Sequence, residues 1–126
     1  MFVLDTAALI FWTLDPERLS AKARQAIETA DRLVVSSISI WEIGIKVKRG
    51  RLDIPISIDK YADRLNQLEK LDFIPVDVNT WLENLSLKWE HKDPADRTIV
   101  ATAQILDAPL VTSDRNIIQF YNNTIW

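Results

Sequence analysis

Four carboxylates carry the chemistry this chain is equipped for: Asp5, Glu42, Asp96 and Asp114. Asp5 closes the first apolar run, Phe2-Val3-Leu4, and Asp114 follows the last long one, Leu110-Val111-Thr112-Ser113. In an open parallel sheet, ligands bind in the crevice outside the carboxyl ends of the strands, so an acid placed directly after a buried strand points into that crevice. Glu42 and Asp96 fall on segments that read as helices packed on such a sheet. Four oxygen donors from four segments, with no cysteine and a single histidine in the chain, describe a pocket for a hard divalent cation, Mg²⁺ or Mn²⁺. Carboxylates gathered this closely oppose one another's ionisation, and a divalent ion removes the conflict. Mg²⁺ accepts only one or two carboxylates directly, which leaves the others to bind or orient water.

Each acid also has a plain structural use. Asp5 and Asp114 suit the N-cap of a following helix. Glu42 stands four residues before Lys46, the preferred order for a helical ion pair. Asp93 reads as the N-cap of a helix with Pro94 at its first position, and Asp96 as a first-turn carboxylate favoured by the dipole. Thr6, Thr112 and Ser113 offer hydroxyls that can bond to carboxylates or to bound water, with Thr112 favoured for its nearness to Asp114. His91, in the polar turn Glu90-His91-Lys92, reads as an exposed turn residue. One histidine assembles no Ser-His-Asp trio, and no glycine-rich loop is present to cradle a nucleotide phosphate. The five tryptophans, Trp12, Trp41, Trp81, Trp89 and Trp126, sit mostly at helical core spacing, which favours packing over base stacking.

Fifteen Lys and Arg against eighteen Asp and Glu give a formal charge of −3, so a polyanion finds no global attraction and needs a local basic patch. Lys46, Lys48, Arg49 and Arg51 form the densest cationic stretch, with Arg97 and Arg115 as lesser candidates. The competing reading is a solvated helix end whose cations complement the carbonyl dipole. At 126 residues the whole chain, 1–126, fits one domain able to bury its own core. The absence of cysteine excludes a disulfide framework and a thiolate zinc site, and suits a reducing, cytoplasmic setting. No segment has the form of a signal peptide, and the apolar run at 7–12 is too short to span a bilayer.

The elements that must position the acids alternate along the chain. Strands are expected at 2–4, 33–36, 73–76 and before Asp114, with Pro75 marking an edge strand because it cannot donate to a ladder. Helices are expected at 6–13, 20–30, 39–49, 58–71, 79–89 and 94–106, from apolar spacings such as Leu82, Leu85 and Trp89 or Ile99, Val100, Ala103 and Leu106. This alternation favours an α/β fold, a parallel sheet covered on both faces.

Val3-Leu4-Asp5-Thr6, Ser39-Ile40-Trp41-Glu42-Ile43, His91-Lys92-Asp93-Pro94-Ala95-Asp96-Arg97 and Leu110-Val111-Thr112-Ser113-Asp114 together resemble the PIN-domain ribonucleases, and among them the VapC-like toxins of bacterial toxin-antitoxin pairs. The resemblance implies a three-layer sandwich with a parallel sheet of four to five strands. It also implies an acidic quartet, Asp5, Glu42, Asp96 and Asp114, holding Mg²⁺ or Mn²⁺ with Thr112 beside it, and Asp93 left to the helix cap. The implied activity is metal-dependent cleavage of RNA to 5′-phosphate and 3′-hydroxyl ends. The implied partners are an antitoxin protein and a second copy of the chain, with Leu9, Ile10, Phe11 and Trp12 serving either the antitoxin surface or the core. Two rival readings stand beside it: a receiver-like signalling domain phosphorylated on aspartate in an acidic Mg²⁺ pocket, and a noncatalytic module whose acids dock a basic partner.

Overall fold

The computed structural model describes residues 1–126. Its five strands are β1 (Phe2–Leu4), β2 (Leu33–Ser36), β3 (Leu71–Ile74), β4 (Leu110–Val111) and β5 (Thr124–Ile125), and its seven helices are α1 (Thr6–Leu14), α2 (Ala21–Thr29), α3 (Ile38–Lys48), α4 (Ile58–Asn66), α5 (Val78–Ser86), α6 (Pro94–Leu106) and α7 (Arg115–Phe120). All strand pairings are parallel, in the order β3-β2-β1-β4-β5. The expected α/β sandwich is therefore present.

Strand alternation splits the core in two. Leu4, Leu33, Val35 and Val111 face one side and pack with Leu9, Ala23, Ile27, Ile43 and Leu65 from α1 to α4. Val3, Val34 and Leu110 face the other and pack with Ile99, Val100 and Ala103 of α6 and Ile117 of α7. Two apolar faces on every central strand are what a sheet covered by helices on both sides requires.

Order along the sheet locates the crevice. The chain runs outward from β1 to β2 to β3, then crosses back over the sheet to lay β4 on the other side of β1. The reversal leaves a topological switch point at the carboxyl ends of β1 and β4. Six of the seven helices open on an Asp or Ser side chain that accepts the amide three residues on, which satisfies a donor the helix itself leaves free.

Three expectations shift. Helix α4 stops at Asn66, and Leu71, expected at its end, begins β3 instead. Strand β3 accordingly runs two residues earlier than expected and ends before Pro75, although it does lie at the sheet edge. Helix α5 ends at Ser86 and buries Thr80 and Asn84, whereas Leu82 and Leu85 are exposed. Strand β5 carries too few residues to show a period, and is held by backbone bonds such as Leu110 N–H to the Asn123 carbonyl at 2.9 Å.

Candidate active site

Asp5 follows β1 directly, and its two oxygens have separate tasks. Oδ1 accepts the Ala8 amide at 2.8 Å and so caps α1. Oδ2 accepts the Thr112 hydroxyl at 2.5 Å. The Thr112 Oγ1 in turn accepts the Asp114 amide at 3.0 Å, and Asp114 Oδ1 caps α7 through the Ile117 amide at 3.1 Å. Capping and site-building are thus done by the same residues: the cap uses one oxygen of each aspartate and fixes the direction of the other. With Asp5 N–H bonded to the Val111 carbonyl at 3.2 Å, the ends of β1 and β4 are locked as one unit.

Asp96 sits in the first turn of α6, its amide capped by Asp93 Oδ1 at 2.9 Å. Glu42 lies one turn into α3, whose contact with α6 brings the two acids to the same crevice. Glu42 Oε2 also meets Lys46 at 3.5 Å, the expected ion pair. Buried Thr6 and Ser39 share a hydrogen bond of 2.9 Å that ties the start of α1 to the start of α3.

The electrostatics show that the acids sense one another. Burial raises the Asp5 carboxyl to about 6 against the lowering pull of its Thr112 and Ala8 hydrogen bonds, and the charges of Asp96 and Asp114 push it the same way. Burial likewise raises Asp96 to about 6 against the bond from His91, and Asp93, Asp114 and Glu42 add repulsion. Four segments far apart in sequence therefore bring carboxylates within electrostatic reach of Asp96. The side chains of these acids offer only hard oxygens, the donor type that Mg²⁺ and Mn²⁺ take. As they are placed, no three of the chain's acids and its imidazole stand close enough together to hold an ion.

His91 is not the free turn residue expected. Its Nε2 lies 2.7 Å from Asp96 Oδ2, and its ring packs on Trp89 at 4.8 Å, which itself stacks on Phe120 at 4.7 Å. Arg97 explains the placement, since its guanidinium donates to the carbonyls of Asn84, Leu87, Trp89 and His91 and to Asn84 Oδ1. With its donors turned to four backbone carbonyls and the Asn84 side-chain oxygen, Arg97 is a clamp rather than a member of a basic patch. Arg115 is exposed at the start of α7. The available signal for His91 was its position five residues before Asp96.

The tryptophans divide. Trp12, Trp89 and Trp126 are partly buried against the core, as their spacing suggests, whereas Trp41 and Trp81 are 56% and 44% exposed. Leu9 is buried, whereas Ile10, Phe11 and Trp12 pack against the same core and stay partly exposed.

A family model described as PIN domain matches residues 2–123. Ribonuclease VapC22 of Mycobacterium tuberculosis is 34% identical over 115 residues, covering 91% of this chain and 88% of that protein. Among solved structures, a toxin-antitoxin complex from Klebsiella pneumoniae aligns with a TM-score of 0.70 at 19% identity, over 100% of this chain and 97% of that one. VapBC2 of Rickettsia felis, bound to a DNA fragment from its promoter, aligns with a TM-score of 0.69 at 16% identity, over 99% and 98% of the two chains.

Proposed function

The chain belongs to the PIN domain family, and from that premise we propose that it is a divalent-metal-dependent endoribonuclease acting as the toxin of a toxin-antitoxin pair. The observation that carries this reading is the position of Asp5 and Asp114 at the β1/β4 switch point, tied together through Thr112, with Asp96 and Glu42 on the packed helices α6 and α3. The relative named as a ribonuclease and the fold shared with toxin-antitoxin complexes support it.

Asp5, Glu42, Asp96 and Asp114, whose side chains stand too far apart as placed, would have to draw together to hold the ion, Mg²⁺ or Mn²⁺. Bound there, it would supply positive charge to the phosphate and make water easier to deprotonate. Thr112 holds Asp5 Oδ2 in a fixed direction. Asp96 keeps Oδ1 free of any hydrogen bond while His91 holds Oδ2, which supports a role for Asp96 Oδ1 in orienting the attacking water and taking its proton. In-line attack with departure of the 3′-oxygen leaves 5′-phosphate and 3′-hydroxyl ends. The partners are RNA, an antitoxin protein and a second copy of the chain. Val78, Trp81, Leu82 and Leu85, large apolar side chains exposed along α5, support a protein contact on that face.

Purified protein incubated with RNA and Mg²⁺ or Mn²⁺ tests the proposal. Cleavage is expected, lost on EDTA treatment and lost in Asp5→Ala with its circular dichroism unchanged. Undiminished cleavage under either condition would overturn the assignment.

A further inference from the structure

The cationic stretch after Glu42 is not a uniform helix end. A groove of about 300 Å³ runs between α3 and the start of α6, and Lys46, Arg49 and Arg51 line it while Lys48 does not. Gly50, at φ 68°, turns the chain back at the end of α3, so that the Arg51 amide bonds to the Lys46 carbonyl at 2.9 Å. Only a residue at home in the left-handed region makes this turn without strain. The turn brings Arg51 to the same groove as Arg49, both exposed and neither within ion-pair distance of a carboxylate. Two guanidinium groups outside any ion pair lie beside Lys46, the one cation of the groove that already has a partner.

The groove leads to the acids. Glu42 lines it, as does Asp93, which caps the helix that carries Asp96. Its wall includes the indole of Trp41, more than half exposed. Cations beside an exposed aromatic face match a single-stranded nucleic acid, whose phosphates take the guanidinium groups while a base lies on the ring. The interior charge of the site is negative and the chain as a whole carries −3, so a polyanion needs such a foothold near the acids.

We propose that Arg49 and Arg51 bind backbone phosphates of the RNA strand in this groove and feed the strand to the acidic crevice. The inference rests on the ribonuclease reading above. Its test is binding of a fluorescein-labelled single-stranded RNA to the Asp5→Asn protein, measured by anisotropy over a salt series. Replacing both arginines by alanine should weaken binding about tenfold and flatten the log-log salt slope by about 1.4, the share of two phosphate contacts on a single strand. Lys48→Ala, which removes one neighbouring positive charge outside the groove, should leave affinity within about twofold of its parent. In the otherwise native protein, the double arginine variant should raise KM with kcat retained.

Unchanged RNA affinity in the double variant overturns the proposal, whether or not the native protein cleaves. An equal loss in Lys48→Ala overturns it too, since general charge would then be enough. If the arginines prove necessary only for binding a protein partner, with RNA affinity intact, the groove is a protein-docking site and the proposal fails. Absence of RNA cleavage by the native protein with Mg²⁺ or Mn²⁺ would instead strike the ribonuclease reading, a readout separate from the binding series.

Discussion

Asp5 is held in the site against its own preference for water. It is 5% exposed, and its carboxyl is raised to about 6 mainly by burial. In the metal-free protein, a raised folded-state pKa means stability that is fully present below the unfolded value and lost as pH climbs through the folded one. The shift corresponds to roughly 3 kcal/mol lost by the time pH reaches neutrality. Asp5→Asn keeps an oxygen for the Ala8 cap and removes the charge. We expect the variant to be more stable than the native protein by up to about 3 kcal/mol near pH 8, the difference fading below about pH 4. Urea unfolding of both proteins in EDTA at several pH values measures this. A variant less stable at every pH would show that the Thr112 bond outweighs the burial of charge.

At the level of elements, the best-read segments are those whose local signals agree. Residues 33–36 are buried throughout and form β2 as expected, and Asp93-Pro94 opens α6 with the expected cap. The acids after β1 and β4 were legible for the same reason, because apolar runs ending in an acid fix both the strand and the crevice. Helix α5 was misread because its inward residues are polar: Asn84 donates to Thr98 Oγ1 at 3.0 Å and accepts from Arg97. A hydrophobic period cannot reveal a face buried through hydrogen bonds. The same network hid His91, since nothing local to a turn announces an arginine that gathers distant carbonyls. Arg97→Met should therefore cost about 3 kcal/mol, because four part-buried carbonyls lose charge-assisted donors. It should also free His91 from Asp96, which histidine NMR shifts would register alongside a lowered Tm. Histidine shifts that stay native-like would mean that the Trp89 and Phe120 stack is enough to hold the loop.

The whole molecule sets its acids at one end of the sheet by topology. The switch point joins β1 to β4, α3 reaches α6 across the sheet end, and the two hydrophobic layers hold that arrangement rigid. Rigid elements with repelling carboxylates between them store a conflict that a cation can relieve, so ligand binding and folding stability are linked. Mg²⁺ or Mn²⁺ should raise Tm, with stabilisation of about 2.7 kcal/mol at a hundredfold excess over Kd. Protons compete for the same oxygens. With Asp5 and Asp96 both raised to about 6, the metal-induced shift should be large near pH 8 and small near about pH 5. Replacing Asp5 or Asp96 by asparagine should reduce it at the higher pH. Thermal unfolding with Mg²⁺, Mn²⁺ and EDTA at the two pH values reads all of this without any RNA present. A shift of equal size in the native protein and in both variants would place the cation elsewhere on the surface, and would leave the acidic crevice without its assigned ligand.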